Sequence, residues 1–400
     1  MALNTSSTQD GGFEQFGLNL YNVVRESSSS NIFLSPASIA LAMAMCTAGA
    51  KHGTLEQMLK ALNSKSIDEL NKASKGVMQV ILSADSGNFI KLKLANRLFA
   101  QKDYKINVEY QSLLEKSYSA GIEEVDFNNN GPLVVKDINK WVEDQTNKLI
   151  KDLLSQNDVN SDTRLILVNC IYFKGTWMKQ FKPDDTIKDT PFYLEDKSTA
   201  GKVNMMYQKQ TYSYTNDKNL NAQVIHIPYK NAESNGHQFV FTVILPAEGV
   251  SLSDVEKKLS DENTQKNVFD KSNRTRQEVN LFLPKFKMEF KFIVNDALKQ
   301  LGMEDAFNGQ KADFTGIVTK ENNDGNLYIS KVIHKAFIEV NEEGSEAAAA
   351  TAVVMMRCCA VVRSQIIEFK CDRPFLFMIR EDERGITLFT GKFATPPTAS

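Results

Sequence analysis

The chain has 400 residues, 42% of them hydrophobic and 24% charged, with a formal net charge of −2. That supplies apolar material for a large core, and the near-neutral balance excludes general affinity for nucleic acid. No run of about 18 apolar residues is present, so neither a membrane-spanning helix nor a membrane partner is expected. The N-terminal MALNTSSTQDGG is polar and lacks the apolar centre of a signal peptide. Five cysteines, an odd number with Cys358 and Cys359 adjacent, make no disulfide framework and point to a reducing, cytoplasmic setting. The alternative is export without a cleaved signal, where the N-x-S/T sequons at Asn4 and Asn273 would matter. Length alone suggests two or three domains. The interior holds no Pro/Gly/Ser-rich linker and no charge block, so one domain over 1–400 is expected.

Phe13–Arg25 carries apolar residues at helical spacing and predicts an amphipathic first helix. In NIFLSPASIAL, Phe33 and Leu34 form a short buried strand. Ser35 then caps a helix that has Pro36 in its first turn, where a missing N–H costs least. That helix, Ala37–Cys46, is apolar on nearly all faces and should be central. Gly49 and Gly53 break the chain, and Thr54 with Gln57 fits a capping box for the next helix. Leu92–Ala100 alternates like a strand. Ile138–Leu154 has one apolar stripe and reads as a surface helix.

Leu165–Phe173 (LILVNCIYF) is a β-rich apolar run, hence a strand buried on both faces. Val224–Tyr229 and Phe239–Leu245 are strands bounded by Pro or Gly. Val279–Phe286 is a strand with Pro284 near its end, and Phe292–Leu301 a helix closed by Gly302. Val332–Val340 and Gln365–Cys371 are β-like, and Pro374–Arg380 with Ile386–Gly391 suggests a hairpin. Helices come first and strands follow in runs, which argues an α+β fold rather than a doubly wound sheet.

Between the two β-like segments lies Asn341–Ser364, NEEGSEAAAATAVVMMRCCAVVRS. From Glu346 to Met356 the only charge is the first residue, and most side chains are small. Taken as a strand, one face is Ser345, Ala347, Ala349, Thr351, Val353 and Met355, which could enter a closed sheet without burying a charge. The other face is also nearly uncharged, as a central strand requires. Alanine favours a helix, and the local residues alone leave helix and strand balanced. The polar start and the arginines and cysteines at the far end favour an exposed loop that can also become a strand.

No G-x-S-x-G, H-E-x-x-H, P-loop or G-x-G-x-x-G motif is present, and no nucleophile–base pair is visible, so no enzymatic activity, cofactor or metal is expected. His226 and His334 lie in apolar strands and read as satisfied core residues rather than ligands. Cys358 and Cys359 would point to opposite faces of a strand and make a poor chelate. Cys46 and Cys170 read as buried small hydrophobes. Lys285, Lys287 and Lys291 read as a solvated face.

Ten ordered blocks carry a resemblance that spans nearly the whole chain. They include NIFLSPASIA (31–40), LANRLF (94–99), INKWVEDQT (138–146), VNCIYFKGTW (168–177), VILPAEG (243–249), LPKFK (283–287), ADFTGI (312–317), KAFIEVNEEGSEAAAATA (335–352) and DRPFLFMIR (372–380), with ITLFTGK (386–392) closing the series. The chain resembles a serpin of the intracellular ovalbumin-like group. One early block departs from the pattern, with Cys46-Thr47 where Leu-Gly is more usual. The resemblance implies three β-sheets and about nine helices in one domain, with a reactive loop at about 342–364.

It also implies suicide inhibition of serine endopeptidases: the cleaved loop inserts into the main sheet while the protease is still acylated. The hinge would be Glu342, Glu343, Gly344, Ser345, Glu346, Ala347, Ala348, Ala349, Ala350 and Thr351. Counting from Gly344 puts the scissile bond after Cys358, and counting back from Pro374 after Arg363. The acidic pocket of a trypsin-like protease favours arginine. The order is therefore Arg357, then Cys358 (before Cys359), then Arg363 (before Ser364). The expected partner is a serine protease in covalent acyl complex with a monomer of this chain. The alternatives are a non-inhibitory binding or storage protein on the same fold, or an inhibitor of papain-like cysteine proteases.

Overall fold

The computed structural model describes residues 12–84, 89–231, 236–319, 327–344 and 366–397. The helical start of the chain is α1 (Gly12–Glu26), β1 (Ile32–Leu34), α2 (Pro36–Ala48), α3 (His52–Ala61) and α4 (Ile67–Ala84). Then come β2 (Ile90–Gln101), α5 (Val108–Tyr118), β3 (Gly121–Val125), α6 (Phe127–Gln145) and β4 (Leu165–Gly175). A run of strands follows: β5 (Ile187–Tyr193), β6 (Thr199–Asp217), β7 (Ala222–Pro228) and β8 (Phe239–Pro246). The chain continues through α7 (Leu252–Leu259), α8 (Glu262–Phe269), β9 (Thr275–Ile293), α9 (Asn295–Gln300) and β10 (Ile329–Val340). It closes with β11 (Ile367–Lys370), β12 (Phe375–Glu381) and β13 (Ile386–Phe393). The α+β expectation and the helix number hold among the described residues.

The strands form one hydrogen-bonded path, β1-β13-β12-β8-β7-β6-β9-β10-β4-β2-β3, with β5 attached to β6 and β11 to β9. The three expected sheets appear as three groups joined through β6 and β9, each 19 residues long. Residues 275–285 of β9 pair with β6, and 286–293 pair with β10. Pro284 is therefore not near the end of β9 but just before the change of partner, where a missing N–H interrupts neither ladder for long.

α2 is central for the reason its sequence gives. Ser35 accepts from the Ser38 amide, Pro36 opens the first turn, and every residue from Pro36 to Thr47 is buried. β4 is buried on both faces. Leu165, Leu167, Ile171 and Phe173 join the main core that contains α2. Ile166, Val168 and Cys170 join a second core beneath α6, with Ile138, Val142 and Ile333.

Several boundaries differ from expectation. The helix read over Ile138–Leu154 starts at Phe127, where Asp126 caps it, and ends at Gln145 because Asn147 and Lys148 adopt positive φ. The helix read from Phe292 begins only at Asn295, since Phe292 and Ile293 still pair with β10. The capping box at Thr54 and Gln57 does not form. Lys51 is the N-cap, Gly53 lies inside α3, and the two side chains instead accept from the amides of Asp313 and Asp305.

Candidate functional site

β10 and β4 lie side by side and parallel, Ile329–Ile338 against Leu165–Phe173. The Ala-rich segment follows directly from the C-terminal end of β10. A chain folding back from that end would run antiparallel to both strands and would have to part them. This seam, and the point where the chain leaves it, make up the candidate site.

The departure point is anchored. Asn341 and Gly344 close a tight turn through reciprocal backbone bonds of 2.9 and 3.2 Å. Gly344 has φ +120°, and a Cβ there would meet the Gly175 carbonyl oxygen at 2.0 Å, so only glycine fits. The backbone of Trp177 donates to Glu343 O at 3.0 Å, and that of Phe181 to Glu342 O at 2.8 Å. The Trp177 indole N–H reaches Asn341 O at 2.9 Å while its ring stacks on Tyr229, 4.5 Å between centroids. Glu342 accepts from Lys285 Nζ and from Thr186 Oγ1, both at 2.9 Å. Burial raises the Glu342 carboxyl, but the Lys285 bond, helped by its own backbone and Thr186, outweighs this and leaves it below the usual range. The expected exposed hinge start is thus corrected: Glu342 and Gly344 are buried, and the turn is held rather than free.

Because Lys285 is 43% exposed, solvent screens the pair, and Glu342→Gln is expected to cost only about 1 kcal/mol. A thermal midpoint lowered by about 1–2 °C would match that. Faster hydrogen exchange at the Glu339–Glu343 amides would show that the loss is local.

A row of buried polar side chains crosses the seam. Asn96, Asn169 and His334 are register partners on β2, β4 and β10. His334 Nε2 accepts from the Ser35 amide at 3.2 Å, so Nδ1 carries the proton and donates to Asn169 Oδ1 at 2.5 Å. Asn169 Nδ2 in turn donates to Ser38 O, to Ser38 Oγ and to Asn96 Oδ1. The row satisfies groups that burial would otherwise make costly, and it ties β4, β10 and α2 together.

Burial pushes His334 down to about 3. It does the same to His226, with Arg274 adding to the effect. His226 is buried as expected, but only its Nδ1 has a partner, Thr242 Oγ1 at 2.8 Å. Both histidines fold neutral from an ordinary value of 6.5. Their stabilisation is therefore complete above about pH 6.5 and is lost as pH falls toward 3. Asp126 and Asp158, held at about 2 by Lys102 and Lys331 against the cost of burial, lose theirs only below about pH 4. Stability is expected to fall between pH 6.5 and 4 by up to about 1.4 kcal/mol per pH unit per histidine. His334→Gln should remove one histidine's share of the slope measured by urea unfolding.

On the outer face the three lysines read as a solvated patch are paired. Lys285 meets Glu342, Lys287 meets Glu339 at 3.1 Å, and Lys291 meets Asp158 at 3.7 Å. Lys331 also reaches Asp158, at 2.7 Å, and Lys335 donates to Lys151 O at 2.5 Å. The segment after α6 is thereby strapped across β10.

Ser345, Glu346, Ala347, Ala348, Ala349, Ala350, Thr351, Arg357, Cys358, Cys359, Arg363 and Ser364 lie outside the described residues. Cys46, Cys170 and Cys371 are free and buried, and burial raises each thiol. Among the described residues no group of three His, Cys, Asp or Glu could hold a metal. Trp177, Thr186, Asn96 and Asn169 were not singled out from sequence; Lys285 was read only as a solvated charge and His334 only as a core residue. The signal was an unexplained Asn169 in the apolar run of β4 with His334 in the parallel position of β10.

A family model described as serpin (serine protease inhibitor) matches residues 12–396. Human serpin B3 is 37% identical over 396 residues, covering 96% of this chain and 98% of that protein. Leukocyte elastase inhibitor A of Rattus norvegicus is 37% identical over 385 residues, covering 95% and 97%. The solved structure of Arabidopsis AtSerpin1, described as a native stressed conformation, superposes with a TM-score of 0.84 at 31% identity, covering 97% and 99%.

Proposed function

The chain belongs to the serpin family, and from that premise we propose that it is a suicide inhibitor of trypsin-like serine endopeptidases. The observation that carries the reading is the closed parallel seam between β4 and β10, with the Ala-rich segment departing from its end. A returning strand would replace one parallel ladder by two antiparallel ones, which are the more stable kind per residue. The names of the relatives, inhibitors of leukocyte elastase among them, support a protease as the partner.

The protease's serine Oγ attacks the loop carbonyl. The peptide bond breaks, the new amine leaves on the C-terminal fragment, and an ester joins protease to inhibitor. Insertion of the freed hinge, Ser345–Thr351, then removes the protease from its productive geometry before water resolves the ester. The chain, one domain acting as a monomer, is consumed by the encounter and is no enzyme. Its free buried thiols suit a reducing compartment.

Arg357 is the first choice of cleaved residue, then Cys358, then Arg363. Reaction with trypsin is expected to give a 1:1 complex that survives boiling in detergent, and mass spectrometry of the released fragment identifies the bond. A cut outside 356–364, or protease recovered free and active, would contradict the proposal.

A further inference from the structure

A pair of buried charges lies away from the seam. Glu256 on α7 and Lys392 on β13 are each more than nine-tenths buried, yet their N···O distance is 3.7 Å, too long for a hydrogen bond. Glu256 Oε1 accepts from the Tyr21 hydroxyl at 2.6 Å, and Lys392 Nζ donates to Ser28 O at 3.1 Å. Among the described residues neither side chain makes another hydrogen bond. A carboxylate offers about four acceptor positions and an ammonium three donors, so both keep unused capacity at a depth where that is costly.

Both line an open cleft of about 770 Å³ between the end of α1, the start of α7, the turn from β5 to β6 and the end of β13. That volume is ample for a small ligand. The wall is mixed. Leu194, Leu252, Pro374 and Ala394 supply its apolar part, and three serines and a threonine add hydroxyls. Nearer solvent, Arg25 and Lys257 stand against Glu26, Glu195 and Asp196, one net negative charge that disfavours an anionic ligand. Several of these are engaged already: Arg25 with Asn22, Glu195 with the Leu252 amide and Asp196 with Ser198. The deeper pair, Glu256 and Lys392, cancels. A ligand that satisfies both needs a cation and an anion close together and no net charge. In a free α-amino acid the ammonium nitrogen and the carboxyl carbon share one Cα and lie about 2.5 Å apart. Each further residue would add about 3.8 Å between the two charges, so the single-residue head suits the pair and a peptide does not.

We propose that this cleft is a binding site for a free α-amino acid with an apolar side chain. The ligand's ammonium donates to Glu256 Oε2 and its carboxylate accepts from Lys392 Nζ. With the protein's own pair the four charges then alternate in a ring, held by charge-assisted bonds. The ligand's side chain lies against Leu194, Leu252 and Pro374. Occupancy ties α1, α7 and β13 together and stabilises the folded chain by mass action. None of this depends on the inhibitor reading, and a missing protease complex would leave it standing.

The test uses the full chain, isothermal titration calorimetry and three probes: L-leucine, L-methionine and L-phenylalanine. At least one should bind saturably, one per chain, and raise the thermal unfolding midpoint with concentration. For the tightest of the three, the amide lacks the carboxylate and the deamino acid lacks the ammonium. Each should bind at least about tenfold more weakly than the parent. Glu256→Gln and Lys392→Met should weaken binding by a similar factor. Ser253→Trp fills the cleft from its exposed side and leaves both charges in place. It should abolish binding without moving the midpoint of the unliganded chain. If Glu256→Gln fails to fold, the ligand analogues and Ser253→Trp still decide. No saturable binding by any probe, equal binding of the amide or the deamino acid, or binding that survives Ser253→Trp or Glu256→Gln undiminished would each overturn the proposal.

Discussion

Ser345→Arg is expected to turn the chain from an inhibitor into a substrate. The detergent-stable complex with trypsin should fall at least about tenfold while cleavage of the loop continues. The seam is dry on both faces: residues of β4 alternate between the main core and the core under α6, and those of β10 facing it are mostly buried. An inserting strand brings Ser345 in first. A serine enters at little cost, whereas an unpaired guanidinium costs several kcal/mol to bury. Insertion then loses the race against hydrolysis of the ester, and active protease is released. Ser345→Ala should keep the parent's complex yield. Undiminished complex formation by Ser345→Arg would sink the insertion mechanism.

Trp177→Ala is expected to cost about 3–5 kcal/mol, near the upper limit for a single truncation. The ring is 1% exposed. It stacks on Tyr229 and meets Phe181 and Phe241 edge-on. Truncation removes that aromatic cluster and also leaves Asn341 O without the indole donor. Urea unfolding measures the loss. If the anchor reading is right, hydrogen exchange at Asn341–Gly344 should rise more than exchange at β3, the edge strand that pairs with the far end of β2. Equal changes everywhere would mean that Trp177 supports the core without holding the loop's start.

The parts of this fold that were legible in the sequence are those with a single physical cause. α2 announces itself by a serine cap, a proline and a nearly all-apolar surface, and β4 by a β-rich apolar run that only Asn169 interrupts. The polar helices α4 and α5 and the long strand β6 were passed over because their patterns are broken by charge. β6 spends its length between two groups of strands with different buried faces, so no single alternation runs through it.

The site was half legible. The composition of 345–356 suggested a segment able to enter a sheet, and the family blocks placed it. What holds its first residues came from tertiary structure alone. Lys285 read as a surface charge because its partner, Glu342, lies 57 residues away. The row through Asn96, Asn169 and His334 is drawn from three strands far apart in sequence, and no periodicity within any one of them reveals it.

On the inhibitor reading, the intact chain is held in a less stable arrangement than it reaches once the loop is cut. Thermal unfolding of the chain before and after limited trypsin cleavage, with the cut mapped between 356 and 364, tests it most directly. A higher midpoint is expected for the cleaved chain, together with slower hydrogen exchange at β4 and β10 as each gains a new antiparallel neighbour. An unchanged or lower midpoint, with β4 and β10 exchanging as before, would contradict it.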